Sequence, residues 1–338
     1  MKLFSIKRTE THKIYTILGI KIKIRRVRKL TRKEKELLNR LIKLFELPTI
    51  NRDEVASKVE NMRHYGLNTE PRTPRIIVTL TSYPKRMYDI HLCLYSLLTQ
   101  DFKPDKVVLW LGEDLFPEKE LDVPRKVKEL CRFGLEIRWC KDMRSFTKLM
   151  PSLKAFPDDI LVTADDDRYY QPDWLRKLWD GYCRSGTITT LYAKAIAFSN
   201  GQPMHYNSWM WGGTEMSTSK RNMLFGFGGV LYPPHCLHPE VHRINKALQL
   251  CPTADDIWFW CMAVLNNTPI YLIPGCHVTY FTNGFRELNM NQDGTLHAVN
   301  EHGICRNEDQ LQNMYREYPQ LIPLLRDELN ENPVLQTQ

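Results

Sequence analysis

The 338-residue sequence contains no GxGxxG and no GxxxxGK[ST] loop. Neither a dinucleotide-binding fold nor an ATPase or kinase built on a phosphate loop is therefore supported. Its nine cysteines are scattered, with no CxxC pair and no even-numbered framework. That pattern reads as a reduced chain whose thiols mostly serve as small apolar residues. No apolar run approaches the roughly 20 residues that a membrane-spanning helix needs, and the basic start lacks the apolar core of a signal peptide. A cytoplasmic chain is expected on those grounds.

What is present is an ordinary globular composition, 43% apolar and 25% charged, with a net charge of +8. That charge sits at one end. Residues 1–46 hold 15 Lys and Arg against 4 Asp and Glu, and the remainder holds 32 against 35. Within the basic segment Ile20, Ile22 and Ile24 alternate with Lys21 and Lys23, which favours a short strand. Thr31 and Glu34 form a capping box for a helix to about Leu47, with Leu37, Leu41 and Leu44 on one stripe. Such a segment suits either an anionic membrane surface or docking on its own domain. A nucleic-acid arm is not expected, because no aromatic residues interleave with the charges.

Further on, Arg75–Tyr83 and Lys106–Leu111 read as buried strands around a helix ending near Thr99, the start of a parallel crossover. A third strand is expected at Glu136–Cys140, and another within Thr187–Ser199. The most informative stretch is Asp158–Asp173, where the apolar run Ile160–Ala164 stops at Asp165, Asp166 and Asp167. Side chains alternate along an extended chain, so Asp165 and Asp167 share a side and Asp166 points away. Two oxygen donors at a strand end suit a hard divalent cation carrying phosphates. The blander alternative is a solvated acidic turn.

Those residues resemble the metal-dependent glycosyltransferases of the GT-A fold, especially family 2-like bacterial enzymes of surface polysaccharide synthesis. The resemblance covers about Arg75 to Phe285. It implies an α/β, Rossmann-like mixed sheet flanked by helices, here preceded by a basic N-terminal extension. The implied metal is Mn2+ or Mg2+, held by Asp165 and Asp167, with His277 as a third ligand and His302 as the alternative. Thr81, Tyr83, Arg86 and Glu113 would lie near the nucleoside, and Lys148 and Asp166 on the donor side, with Lys154 solvated. Asp256, the second acid of Thr253-Ala254-Asp255-Asp256, would be the catalytic base, supported by Asp255. Two carboxylates opening a helix would also simply cap it. Trp211, Gly228 and Gly229 would lie on the acceptor side, the paired glycines and aromatic rings offering close approach and a flat face for sugar.

The organisation expected is a basic extension over 1–70, a catalytic domain over 71–285 and a helical tail over 286–338. The implied reaction is transfer of a sugar, with inversion, from a nucleotide diphosphate, a UDP-sugar foremost, to a glycan or lipid-linked acceptor. By the same resemblance the enzyme would rest on the inner face of the cell membrane. A sugar nucleotidyltransferase is the nearest rival, although Thr81-Ser82-Tyr83-Pro84 is not its Gly-rich basic loop. A non-catalytic protein with a basic arm for membrane or nucleic acid is the rival of another class.

Overall fold

The structure, a computed structural model, describes residues 4–8, 12–17, 20–25, 49–212, 216–274, 279–282 and 306–331. Contacts divide the chain into two units, Met1–Leu47 and Pro48–Gln338. In the first, β1 (Phe4–Arg8), β2 (His12–Ile17) and β3 (Ile20–Arg25) form an antiparallel meander in that order. Ile17 pairs with Ile20 at its tight second connection. The helix expected from Thr31 lies outside the described residues.

The second unit opens with β4 (Thr49–Asn51) and α1 (Arg52–Glu60). Asn51 caps this helix, its side chain accepting the Asp53 N–H at 2.8 Å. Val55 of α1 is buried with Leu92 and Tyr169. The break between units falls at 47/48.

There follow β5 (Ile76–Thr81), α2 (Ile90–Leu98), β6 (Lys106–Gly112), α3 (Arg125–Glu129), β7 (Leu135–Cys140), α4 (Met150–Ala155), β8 (Ile160–Thr163), α5 (Trp174–Ser185) and β9 (Ile188–Thr190). Next come β10 (Ala193–Ala195), β11 (Phe198–Ser199), β12 (Gln202–Pro203), β13 (Met210–Trp211), β14 (Ser217–Ser219), β15 (Asn222–Leu224) and β16 (Val230–Tyr232). The last elements are α6 (Ile244–Leu250), α7 (Asp255–Leu265), β17 (Ile270–Leu272), β18 (Tyr280–Thr282), α8 (Asn307–Glu317) and α9 (Leu321–Glu331).

The main sheet has eight strands in the order β14-β17-β9-β16-β8-β5-β6-β7. Strands β8, β5, β6 and β7 are mutually parallel, and β16 runs antiparallel between β8 and β9. It is a mixed, Rossmann-like α/β sheet. The chain winds outward from β5 through β6 to β7, then returns to place β8 on the other side of β5. Such a reversal opens a crevice beyond the carboxyl ends of the two central strands, where open sheets of this kind bind ligands. Those ends are Thr81-Ser82 and Thr163–Asp167.

Both faces of the sheet are covered, which explains why its strands read as continuous apolar runs. Ile77, Val108 and Leu161 enter one core, while Val78, Leu109 and Val162 enter the other. The first core is built around α7, a helix buried on nearly every side. Leu311, Met314, Leu321 and Leu325 of α8 and α9 pack into that same core. The described C-terminal helices are thus part of the second unit rather than a separate tail.

Candidate active site at the carboxyl end of the sheet

Register places the acidic triplet. The β5–β8 ladder ends with Thr79 opposite Thr163, three residues before Ser82 on one strand and two before Asp165 on the other. Beyond it, Ser82 Oγ donates to Asp166 Oδ2 at 2.6 Å, and the Arg86 guanidinium bonds Asp166 Oδ1. Arg86 also lies 3.4 Å from Asp167 Oδ2, and Arg168 Nε lies 3.5 Å from Asp167 Oδ1. Tyr170 OH accepts the backbone N–H of Asp165 at 2.7 Å, and its ring packs on Trp174, whose indole N–H donates to the Gly228 carbonyl at 2.8 Å. The strand end and the glycine loop are therefore tied together through two aromatic side chains.

Lys148 enters from the other side. A buried network fixes its backbone: Thr79 Oγ1 donates to the Lys148 carbonyl at 2.6 Å and meets Ser152 Oγ at 2.7 Å, and Ser152 also takes the Trp110 indole N–H. The ammonium lies 2.9 Å from Asp165 Oδ1 and 3.2 Å from Asp255 Oδ2. It thus bridges the end of β8 and the start of α7. On that helix Asp256 Oδ1 accepts the Gly226 N–H at 2.9 Å. A Cβ on Gly226 would come within 3.0 Å of Asp256 Oδ1 and 3.1 Å of Lys148 Nζ, so the bare glycine admits both groups.

The electrostatics separate the carboxylates. Burial pushes Asp166 up, against the pull of Arg86. Burial also opposes ionisation of Asp167, but Arg168, Arg86 and Lys148 outweigh it and hold that carboxyl below its usual range. Asp256 is pushed up to about 8 by burial and by its neighbour Asp255, with Lys148 pulling the other way. Lys148 stays firmly protonated: its burial is overcome by Asp165, Asp255 and Asp256. Five carboxyl groups face three cations, Lys148, Arg86 and Arg168. The cluster is two positive charges short when fully ionised.

At neutral pH, where Asp256 holds its proton, the excess is at most one negative charge, which fits a cation. So does Asp167 Oδ1, which is buried and accepts no hydrogen bond among the described residues. Among those residues no group of three His, Cys, Asp or Glu converges as a ready-made metal cage. A cation that keeps waters and substrate phosphates needs only one or two carboxylates. His277 and His302 lie outside the described residues.

Not every residue named from sequence meets this cluster. Thr81 turns its hydroxyl to the Trp110 carbonyl at 2.9 Å, and Glu113 pairs with Lys119 at 2.9 Å on an exposed turn. Tyr83 is exposed, with the Arg86 guanidinium 5.5 Å from its ring. Trp211, also exposed, packs on Phe225 at 4.9 Å between ring centroids, and Phe227 carries the Arg168 guanidinium 5.6 Å from its ring. Gly228 and Gly229 have packing reasons. Gly229 has φ +100°, and a Cβ there would strike the Trp174 indole at 2.6 Å; one on Gly228 would strike the Tyr192 ring at 2.2 Å. Ser82, Arg168, Tyr170 and Gly226 were missed from sequence. Only Gly226 carried a signal, as the first glycine of Phe225–Gly229.

No family model matches this chain, and no curated protein matches it. Solved structures similar to it include S. aureus TarS 1–349 in complex with UDP-GlcNAc, at 15% identity and a TM-score of 0.40, over 62% of this chain and 58% of that one. The chain thus spans less than two thirds of that TarS chain. Another is CMP:2-keto-3-deoxy-manno-octonic acid synthetase complexed with CTP, at 10% identity and a TM-score of 0.38, over 60% and 91% of the two chains. A third is 4-diphosphocytidyl-2C-methyl-D-erythritol synthase, at 14% identity and a TM-score of 0.39, over 68% and 98%. The strand order described above, not these distant likenesses, carries the α/β assignment.

Proposed function

We propose that the chain is a GT-A type glycosyltransferase that moves a sugar from a nucleotide diphosphate, a UDP-sugar foremost, to an acceptor hydroxyl on a glycan or lipid-linked saccharide. One observation carries the reading. A net-negative carboxylate cluster lies beyond the central strands, where the strand order reverses, and a single lysine joins it to a base of raised basicity. Asp165 and Asp167 would hold Mn2+ or Mg2+, which when bound neutralises charge on the departing diphosphate.

The chain's own groups supply the rest. Arg86 and Lys148 are cations fixed at the strand ends, placed to face phosphate oxygens at no cost in reorganisation. Asp256 has one oxygen held by the Gly226 N–H, which leaves Oδ2 for the acceptor. That oxygen takes the hydroxyl proton while the acceptor oxygen bonds to the anomeric carbon and the diphosphate leaves with its electron pair. A base poised near 8 suits that task at neutral pH better than an ordinary aspartate. Attack opposite the leaving group inverts the anomeric centre. The exposed Trp211 ring, beside Phe225 and Phe227, offers a flat apolar face for the acceptor sugar. Work at the inner face of the cell membrane, with the basic N-terminal unit against anionic lipid, belongs to the same reading.

The test is calorimetric titration with a panel of nucleoside diphosphates, with and without Mn2+. We expect one nucleotide to bind only with metal, and Asp167→Ala to abolish that binding. No nucleotide binding under any metal condition would leave a non-catalytic protein with a basic arm. Release of pyrophosphate from a nucleoside triphosphate and sugar phosphate would instead favour a nucleotidyltransferase.

A further inference from the structure

Resting on the proposed transfer reaction, we propose that the start of α8 is a positioning element for both partners in it: Gln310 sets the base Asp256, and Glu308 sets the acceptor-side aromatic ledge. The helix that carries Asp255 and Asp256 has no local cap, since Ala254 sits at its cap position and offers no side-chain acceptor. The acceptor comes from 56 residues away. Gln310 Oε1 takes the backbone N–H groups of Thr253 and Ala254, each at 3.1 Å, and its Nε2 donates to Thr253 Oγ1 at 3.0 Å. Gln310 is 1% exposed, so no water can replace it freely. These bonds fix the two residues immediately before the paired carboxylates, and with them the approach of Asp255 to Lys148 and of Asp256 to Gly226.

Two residues earlier on the same helix, Glu308 Oε2 accepts the backbone N–H of Tyr206 at 2.7 Å. Tyr206 opens the segment that runs to Trp211 and packs on Trp209, 5.3 Å between ring centroids. Trp209 in turn meets Trp260 of α7 edge-on at 6.0 Å. One helix therefore holds the base through one side chain and the ledge through another, and each carbonyl or carboxylate oxygen accepts from backbone, which a side chain can hold without entering the chemistry.

The experiment compares Gln310→Met, which keeps length and burial but removes the acceptor, with Glu308→Leu and the conservative Glu308→Gln. Hydrogen exchange is read at three amides, and steady-state transfer is measured with the acceptor varied. In Gln310→Met the Thr253 and Ala254 amides should lose protection while Tyr206 keeps it. Turnover should fall on the order of 10- to 100-fold, the scale of a misplaced reacting group, with the acceptor KM unchanged. In Glu308→Leu the Tyr206 amide alone should be exposed, and the acceptor KM should rise about 10-fold, the scale of one lost charged hydrogen bond, with turnover kept. Glu308→Gln should restore both. Unmoved amides would overturn the proposal whatever the protein's activity. Exposed amides with kcat and KM changing in parallel in both variants would reduce α8 to a purely structural brace and overturn it too. A wild type without donor-dependent transfer would instead overturn the function proposed above, and the amides would then decide the brace alone.

Discussion

Asp167 at the strand end and Asp256 at the helix start are the same residue type, treated oppositely by the fold. At the end of β8, Asp167 has guanidinium groups on two sides and is held below its usual range. At the start of α7, Asp256 shares its single nearby lysine with Asp255 and Asp165, and is pushed up to about 8. The first arrangement keeps negative charge ready for a cation and its phosphates. The second keeps a proton within reach. Two acids whose surroundings drive their basicities apart are the usual mark of divided labour in a reaction.

The sharpest way to break the comparison is Asp256→Asn. The amide keeps the size and the bond to Gly226 but takes no proton. Transfer should drop about a thousandfold, within the range ascribed to a positioned base, while metal-dependent nucleotide binding stays as in the wild type. The strand-end group would then be shown to work without the helix-start group. Turnover within tenfold of wild type would take Asp256 out of the role.

Next in size is Lys148→Met, which removes the cation common to both groups. Asp255 would be left buried, and Asp165 half-buried, without their partner, and breaking a buried pair in this way costs about 3 to 5 kcal/mol. Denaturant unfolding of the metal-free protein measures it. A loss below about 1 kcal/mol would mean that the carboxyls carry protons of their own rather than relying on the lysine.

How far the sequence foretold this follows from the range of each contact. The triplet was legible because β8 is a short apolar run with an abrupt acidic end, and the α7 pair because two acids precede an intensely apolar helix. Lys148 was legible by its place before the acidic strand. Ser82 was not, and Gly226 was legible only as a glycine of its loop, not as the partner of Asp256. Ser82 reaches Asp166 across 84 residues, and Gly226 reaches Asp256 across 30, with no periodicity to connect them. Thr81 shows the limit well. Alternation says that Thr81 and Ser82 face opposite ways, but only the sheet register shows that Ser82 is the one turned to the carboxylate. Glu113 pairs with Lys119, six residues on, a contact that its place at a strand end did not foretell. Residues 49–60 likewise look polar in sequence, yet Val55 is the buried anchor of α1.

The smallest effect tests the electrostatic contrast without any substrate. Burial and Asp255 push Asp256 in the folded chain up to about 8 from its ordinary 3.8. Between those values the folded state binds the extra proton, so stability must fall as pH rises. Asp167 acts in the opposite sense, its contribution present above its unfolded value and lost only in acid, so it is constant across neutral pH. Lys148, raised above its ordinary value, loses its contribution only in strong alkali. Buried His91, lowered to about 4, and Asp166, raised by burial, also respond to pH, so between pH 5 and 8 the helix-start group is isolated by comparing the wild type with Asp256→Asn. In metal-free buffer the melting temperature of the wild type should fall relative to that of Asp256→Asn by on the order of a few degrees across that window, and the two curves should run parallel above it. Curves already parallel between pH 5 and 8 would show Asp256 to be an ordinary ionised carboxylate, and the contrast between the two groups would collapse.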